Sequence, residues 1–416
     1  MVAISSPASE EVMDFTIPTD IETLRQQIGR FVAEHLLPLE TDAQNYDAHG
    51  NIRIDLLEKK RALARAQGLW CLQLPVSLGG RGVSRVGMAV CYEEMNRSIF
   101  GPATFNSAAP DDGNMMVMAA LGTPEQQDWW LRPVAQGRAR SAFAMTEPHP
   151  GGGSDPQMMR TMAVRDGDDY VINGHKWFIT GAGEAEFFMV LARTSEDPRR
   201  GHTCFLFHRD DPGWEITRRI AIMGPEEHGG HCELKFEGLR VPARNILLEE
   251  GRGLKVVQTR LGIARLTHCM RWLGLARRCL EVGNDYAQQR YGFGVLLASR
   301  ESVQIALGRL ATDIEIGRIL VMRAAWALDQ GSFAQKEVSM AKVHVANLLH
   351  QAADTAIQLN GARGYSADTV LEWIYRYARQ ARLVDGADEV HRMLIHRHMS
   401  EQGEAFFKWP VEETAP

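Results

Sequence analysis

The spacing of apolar positions changes twice along the chain. Across residues 20–137 they recur at helical intervals, as in ETLRQQIGRFVAEHLL and VGMAVCYEEMNRSIF, with turn clusters at PVSLGGRG and LGTPEQ between them. This predicts an N-terminal helical domain, preceded by a loose tail at 1–19. Across 138–248 the runs become short and β-rich: TMAV, DYVIN, KWFIT, EFFMVLART, TCFLFH, GWEIT and CELKFEGLRV. Asp166-Gly167 and Asn173-Gly174 read as hairpin turns between them, which predicts an antiparallel β domain. Across 249–416 long helical periods return, notably in GLKVVQTRLGIARLTHCMRWLGLARRCLEVGNDYAQQR and AQKEVSMAKVHVANLLHQAADTAIQLNG. Stripes of that length suit a four-helix bundle. Helices, then strands, then helices is α+β by segregation and argues against βαβ winding.

Composition narrows the function. With 416 residues, 45% hydrophobic and 24% charged, the chain can bury a large core. The net charge of -6 is spread along the length without basic blocks, so nucleic acid is not an expected partner. No apolar run approaches the roughly 20 residues needed to cross a bilayer. The N-terminus does not look like a signal peptide, and the terminal TAP is not a peroxisomal address. Six scattered cysteines form no CxxC pair and suit reduced thiols, so a cytoplasmic location is expected.

The glycine clusters GGRG, GGGSD and GRG do not form a GxGxxG between strand and helix, which argues against a Rossmann site. HGGHC at His228, His231 and Cys232 lacks a second ligand pair at zinc-finger spacing and reads as a polar loop, so no metal is expected. His391, His396 and His398 read as solvated positions on an Arg-rich helix.

Three stretches carry chemistry-bearing residue types. In RLVDGADEVHR, Asp385-Gly386 interrupts helical runs; locally it reads as a helix N-cap. KWFIT alone reads as a hairpin strand with a core phenylalanine. Arg290 in RYGFG alone reads as a charge at a helix C-terminus.

Together, however, SAFAMTEPHPGGGSDP, INGHKWFITGA, RYGFG, Gln304, IQLNGARGY and the turn at Asp385 resemble, in order, the motifs of the acyl-CoA dehydrogenases. NSAAPDDGNMMVMAALGTPEQQDWWL and DGADEVHR are similar to the branch that in some animals follows a kinase-like domain. No kinase-like part is in this chain, so no chemistry tied to one is inferred.

The resemblance implies FAD as cofactor. Backbone groups of Met145 and Thr146 would bond the flavin pyrimidine edge, Phe178 would cover a ring face, and Thr180 would reach N5. Phe143, Ala387 and Glu389 match further flavin-contacting positions. Arg290 and Phe293, supplied by a neighbouring subunit, would meet the diphosphate and adenine, where a guanidinium makes bidentate bonds. Gln304, Gln358 and Gly361 match other FAD contacts, and a homo-oligomer, typically a tetramer, follows. Ser154, Arg265 and Gly386 would shape the acyl-CoA site, with an electron-transfer flavoprotein taking the electrons.

In the same comparison Asp385 occupies the place of the base that removes the α proton of the thioester while the β hydride passes to the flavin. A second family position for the base falls on Ala264, which cannot take a proton. An apolar slot would raise the Asp385 pKa toward a useful range. Three features depart from the common pattern. HPGGG is two residues longer than usual, Phe178 stands for a tryptophan, and aspartate stands for glutamate. Nitroalkane oxidases share the fold and an aspartate base, so a flavin oxidase or monooxygenase is the alternative. Chain length and substitution of the acyl group are not legible.

Overall fold

The structure, a computed structural model, describes residues 16–153 and 155–408. Most of the predicted tail, Ser154 and the TAP terminus lie outside the described residues. The first domain carries helices α1 (Thr19–Phe31), α2 (Ile54–Ala66), α3 (Arg85–Met95) and α4 (Asp111–Leu121). In α1 the buried set Leu24, Ile28 and Phe31 falls at intervals of four and three, one stripe against the core. In α4 both aspartates of the first turn are buried: Asp111 holds the next element in place, and Asp112 accepts from the Tyr92 hydroxyl and from Arg271.

That element is β1 (Ser141–Ala144), followed by β2 (Met162–Asp166), β3 (Asp169–Thr180), β4 (Phe187–Arg193), β5 (His202–His208), β6 (Trp214–Arg219) and β7 (His231–Pro242). The order is β1-β4-β2-β3-β7-β6, with β5 on β4. The sheet is mixed, a correction to the antiparallel expectation: β1 runs parallel to β4, with Ser141 opposite Phe187. A four-residue strand carries too little pattern to announce itself. It is anchored by Asp111, whose Oδ1 accepts from the Ser141 N–H at 2.7 Å.

Asp166-Gly167 does turn the chain between β2 and β3, with Gly167 at φ 65°. Asn173-Gly174 does not. It lies inside β3 at a register shift, where the Asn173 side chain accepts from the Gly238 N–H at 2.8 Å. A Cβ on Gly174 would stand 2.4 Å from Thr161 Oγ1, so the glycine answers to close packing.

The last domain contains α5 (Gly253–Gln289), a ribbon of β8 (Tyr291–Gly292) and β9 (Val295–Leu296), then α6 (Glu301–Asp329), α7 (Gln335–Asn360), α8 (Leu371–Ala381) and α9 (Asp388–Gln402). Helix α7 packs against α5, α6, α8 and α9, which makes it the centre of the bundle. His391, expected in solvent, is instead buried on the inner face of α9, its Nδ1 3.0 Å from Ser339 Oγ on α7. Burial and the nearby Arg265 and Lys342 push it down to about 4. His396 is exposed. All six cysteines are buried and unpaired. Among the described residues no helix is long and apolar enough to cross a membrane.

Candidate active site

Beyond β1 the chain runs through Met145, Thr146 and Glu147, and a buried ion pair fixes its course. The Glu147 carboxylate accepts from the N–H groups of Arg160 (2.7 Å) and Thr161 (2.9 Å) and from Lys176 Nζ (2.9 Å). Lys176, fully buried in β3, also donates to the Met145 carbonyl at 2.8 Å, and the Trp177 N–H donates to the Thr146 carbonyl at 3.0 Å. Burial draws Lys176 down to about 8 against the pull of Glu147. For Glu147, burial works upward but the lysine and the donated bonds outweigh it. Met145 and Thr146 are thereby clamped to β3, the strand that carries Phe178 and Thr180.

Phe178 sits in the left-handed region at φ 52°, within a register shift between Lys176 and Ile179. For an aromatic residue in a strand this backbone costs of order 1–3 kcal/mol. It turns the ring out of the sheet, 45% exposed and edge-on to Trp177. Thr180, opposite His231 on β7, places Oγ1 3.0 Å from the ring Nδ1.

Asp385 lies in the turn between α8 and α9, at φ 51°, followed by Gly386 at φ 102°. The N-cap of α9 is Ala387, so Asp385 does not cap that helix. Its carbonyl accepts from Arg265 Nε at 2.7 Å, and Lys342 Nζ donates to the Gly386 carbonyl at 2.9 Å. A Cβ on Gly386 would meet His391 Nε2 at 3.1 Å and Arg265 Nη2 at 3.4 Å. The glycine is therefore required by its backbone angle and by protein crowding as well as by any approach of substrate.

The carboxylate points at one charged and one neutral group of α5. Oδ1 is 3.6 Å from Arg260 Nη1, and Oδ2 is 3.4 Å from His268 Nε2. Burial raises the Asp385 pKa, but His268, Arg260 and Arg265 together hold it well below the usual carboxylate range. This reverses the expectation of a raised pKa: the slot is lined by cations where apolar walls were expected. Burial and Arg271 lower His268, so it is neutral at pH 7 and the local charge is net positive. Among the described residues Oδ2 makes no hydrogen bond, which leaves a lone pair available to a proton.

Arg260 joins this corner to the β domain. Its guanidinium lies over the Phe143 ring at 4.6 Å, and its Nε donates to Asn114 Oδ1, while Asn114 donates to Ser141 Oγ. Phe143, Met145, Thr146, Phe178, Thr180, Arg265, Asp385 and Gly386 are thus tied into one region by α5 and β3. Nearby, a cavity of about 90 Å³ is lined by polar side chains including Asp111, Arg140, Arg271 and Tyr377.

The other expected residues stand apart. Arg290 caps α5 in an exposed position, and Phe293, φ 48° and 100% exposed, forms the tip of the β8–β9 ribbon. Gln304 and Gln358 are exposed, and Gly361 ends α7 at φ 62°. Glu389 is exposed in the first turn of α9, next to Ala387. Among the described residues no hydrogen bond, ion pair or ring contact joins Arg290, Phe293, Gln304 or Gln358 to the Phe178 region.

An outward aromatic face, the backbone of Met145 and Thr146 and the Thr180 hydroxyl fit a flavin ring, and a remote exposed guanidinium fits a diphosphate. The sequence reading overlooked Arg260, His268, Glu227, Lys176 and the role of His231. One signal was available: Arg260, His268 and Arg271 recur at eight and three residues along α5, which puts these three polar groups on one face of the helix.

Residues 18–138, 142–239 and 251–400 match the families described as acyl-CoA dehydrogenase N-terminal, middle and C-terminal domain. The chain is 38% identical over 384 residues to acyl-CoA dehydrogenase family member 11 of Rattus norvegicus, covering 89% of this chain and 49% of that protein. It is 37% identical to a Mycobacterium tuberculosis protein described as a probable acyl-CoA dehydrogenase, covering 92% and 96%. The structure of butyryl-CoA dehydrogenase from Megasphaera elsdenii superposes with a TM-score of 0.82 at 27% identity, covering 93% of this chain and 100% of that one. The chain spans about half the length of the animal relatives it matches.

Proposed function

The chain belongs to the acyl-CoA dehydrogenase family, and from that premise we propose that it converts an acyl-CoA thioester to the trans-2-enoyl-CoA, with Asp385 as the base for the α proton. The observation that carries this reading is the Oδ2 lone pair of Asp385, held ionised beside Arg260 and Arg265 on a turn that does not cap its helix. Family members bind FAD, which when bound supplies the acceptor for the β hydrogen and its electron pair. Phe178 would cover the ring, Thr180 would reach N5, and the clamped backbone of Met145 and Thr146 would hold the pyrimidine edge. The cationic corner also favours the charge that develops toward the thioester oxygen as the α proton leaves, because fixed cations in a water-poor site act strongly.

The diphosphate falls to Arg290 of a second copy. The thirty residues from Arg260 to Arg290 lie on one helix and its cap; at about 1.5 Å each they separate the two by about 45 Å. A fully extended FAD reaches roughly half that on covalent bond lengths of about 1.5 Å. One chain therefore does not meet both ends of one cofactor, which supports a homo-oligomer, a tetramer in our reading. Gln304, Gln358 and Gly361 complete that half. An electron-transfer flavoprotein as acceptor, a cytoplasmic location and a place in fatty acid metabolism complete the proposal.

The test is anaerobic mixing of the purified protein with a panel of acyl-CoA thioesters while the flavin band is followed, and then admission of oxygen. Bleaching by a thioester with slow reoxidation in air supports the dehydrogenase. Rapid reoxidation supports the oxidase reading, which the aspartate base motivates. No bleaching by any thioester overturns the assignment.

A further inference from the structure

Behind Thr180 lies a charge relay that the reaction outlined above does not use. His231 is buried, with Nδ1 3.0 Å from Thr180 Oγ1 and Nε2 2.9 Å from Glu227 Oε2, while the other Glu227 oxygen accepts from Gln380 Nε2 on α8 at 3.3 Å. The charged groups facing the imidazole are Glu227 and Glu226 from the loop before β7 and Arg219 from β6; α8 contributes the neutral Gln380. Resting on the reading that Thr180 faces the flavin, we propose that His231, backed by Glu227, is a positioning residue that sets whether the Thr180 hydroxyl donates or accepts a hydrogen bond at N5.

The argument is a proton count. A hydroxyl has one hydrogen to give and lone pairs to receive. The Glu227 carboxylate keeps a proton on Nε2. In neutral His231, Nδ1 then carries a lone pair, the Thr180 O–H turns toward it, and oxygen lone pairs face the cofactor. In the imidazolium, Nδ1–H donates to Oγ1, and the hydroxyl hydrogen is released toward the cofactor. Oxidised flavin presents a lone pair at N5 and reduced flavin presents an N–H, so each protonation state of His231 complements one redox state. Burial works against the imidazolium, but Glu227 and Glu226 outweigh it and raise the His231 pKa, which favours the donor setting at neutral pH.

The experiment uses holoprotein reconstituted with FAD labelled with nitrogen-15 at N5 and follows the N5 resonance between about pH 5 and 9, the range in which histidine titrates. In the wild type the resonance should move with a single midpoint, and in His231→Gln that movement should vanish. Glu227→Gln, which keeps the imidazole but removes its counter-charge, should shift the midpoint down by about 1 to 3 pH units. This second variant decides the matter if His231→Gln does not retain FAD. A wild-type resonance independent of pH, or one that moves alike in all three proteins, overturns the relay. Thr180→Val separates the two claims. If it leaves the resonance unchanged at every pH, Thr180 does not face N5 and the parent reading fails. If it moves the resonance while the histidine and glutamate variants do not, only the relay fails.

Discussion

Nη1 of Arg260 stands 3.6 Å from Oδ1 of Asp385, with 8% and 18% of the two side chains exposed. A carboxylate beside a buried guanidinium is a poorer base but an always ionised one. Because its pKa is depressed, Asp385 is competent above that low value and is lost as a base only when pH falls through it. Flavin reduction by substrate should therefore show no loss on the acid side down to about pH 5. Arg260→Met should raise the Asp385 pKa and move the acid limb up by about 1 to 3 pH units. Stopped-flow reduction across pH checks this; an unmoved limb would remove Arg260 from the site.

Asp385→Asn should leave a folded, yellow oligomer, since the amide keeps the shape and the Asp385 carbonyl still accepts from Arg265. Reduction by the thioester that bleaches the wild type should slow by at least about 10²- to 10⁴-fold, the usual contribution of a positioned base. Reduction at close to the wild-type rate would place the base elsewhere.

Arg290→Ala should weaken FAD retention although the ring contacts are unchanged. A lost hydrogen bond to a charged group is worth about 1.5 to 3 kcal/mol, or roughly one to two orders of magnitude in affinity. Titration of apoprotein with FAD measures it, and equal affinities would sink the diphosphate role. Sedimentation of a stable FAD-replete monomer would sink the shared site.

Lys342 and Asp388 form an ion pair of 3.2 Å, each side chain 1% exposed, beneath the Asp385 turn. Lys342→Met should cost about 3 kcal/mol, the low end for breaking a buried pair, because Arg382 and Asn347 still bond Asp388. Asp388 is lowered, so its contribution is present above its ordinary pKa and fades as pH falls through the depressed one. Denaturant melts at neutral and acid pH should show the gap between wild type and variant narrowing as pH drops. A gap that is constant with pH would mean that the cost does not come from the ionised pair.

The three-zone order was legible because long stripes such as that of α5 and short runs such as FFMVLA keep distinct periods over their whole length. Asp166-Gly167 was legible as a turn because no other segment crowds Gly167. Asn173-Gly174 has the same chemistry, yet Thr161, just ahead of β2, packs on it, and such contacts leave no local trace. The same limit explains the site. Asp385 was singled out through motif similarity, but its pKa depends on Arg260 and His268, more than a hundred residues away in sequence. His391 shares the polar surroundings of its exposed neighbours, and only the packing of α9 on α7 separates them.

The length of α5 carries a consequence for mixed populations of chains. If each cofactor lies between an Asp385 corner and a remote Arg290, the two halves of a site are inherited from different molecules. A chain defective only in Asp385 and a chain defective only in Arg290, co-expressed and co-assembled, would each lend its intact half to the other. Two inactive alleles would then yield partial activity together, with some sites in a hybrid wholly repaired and others doubly damaged.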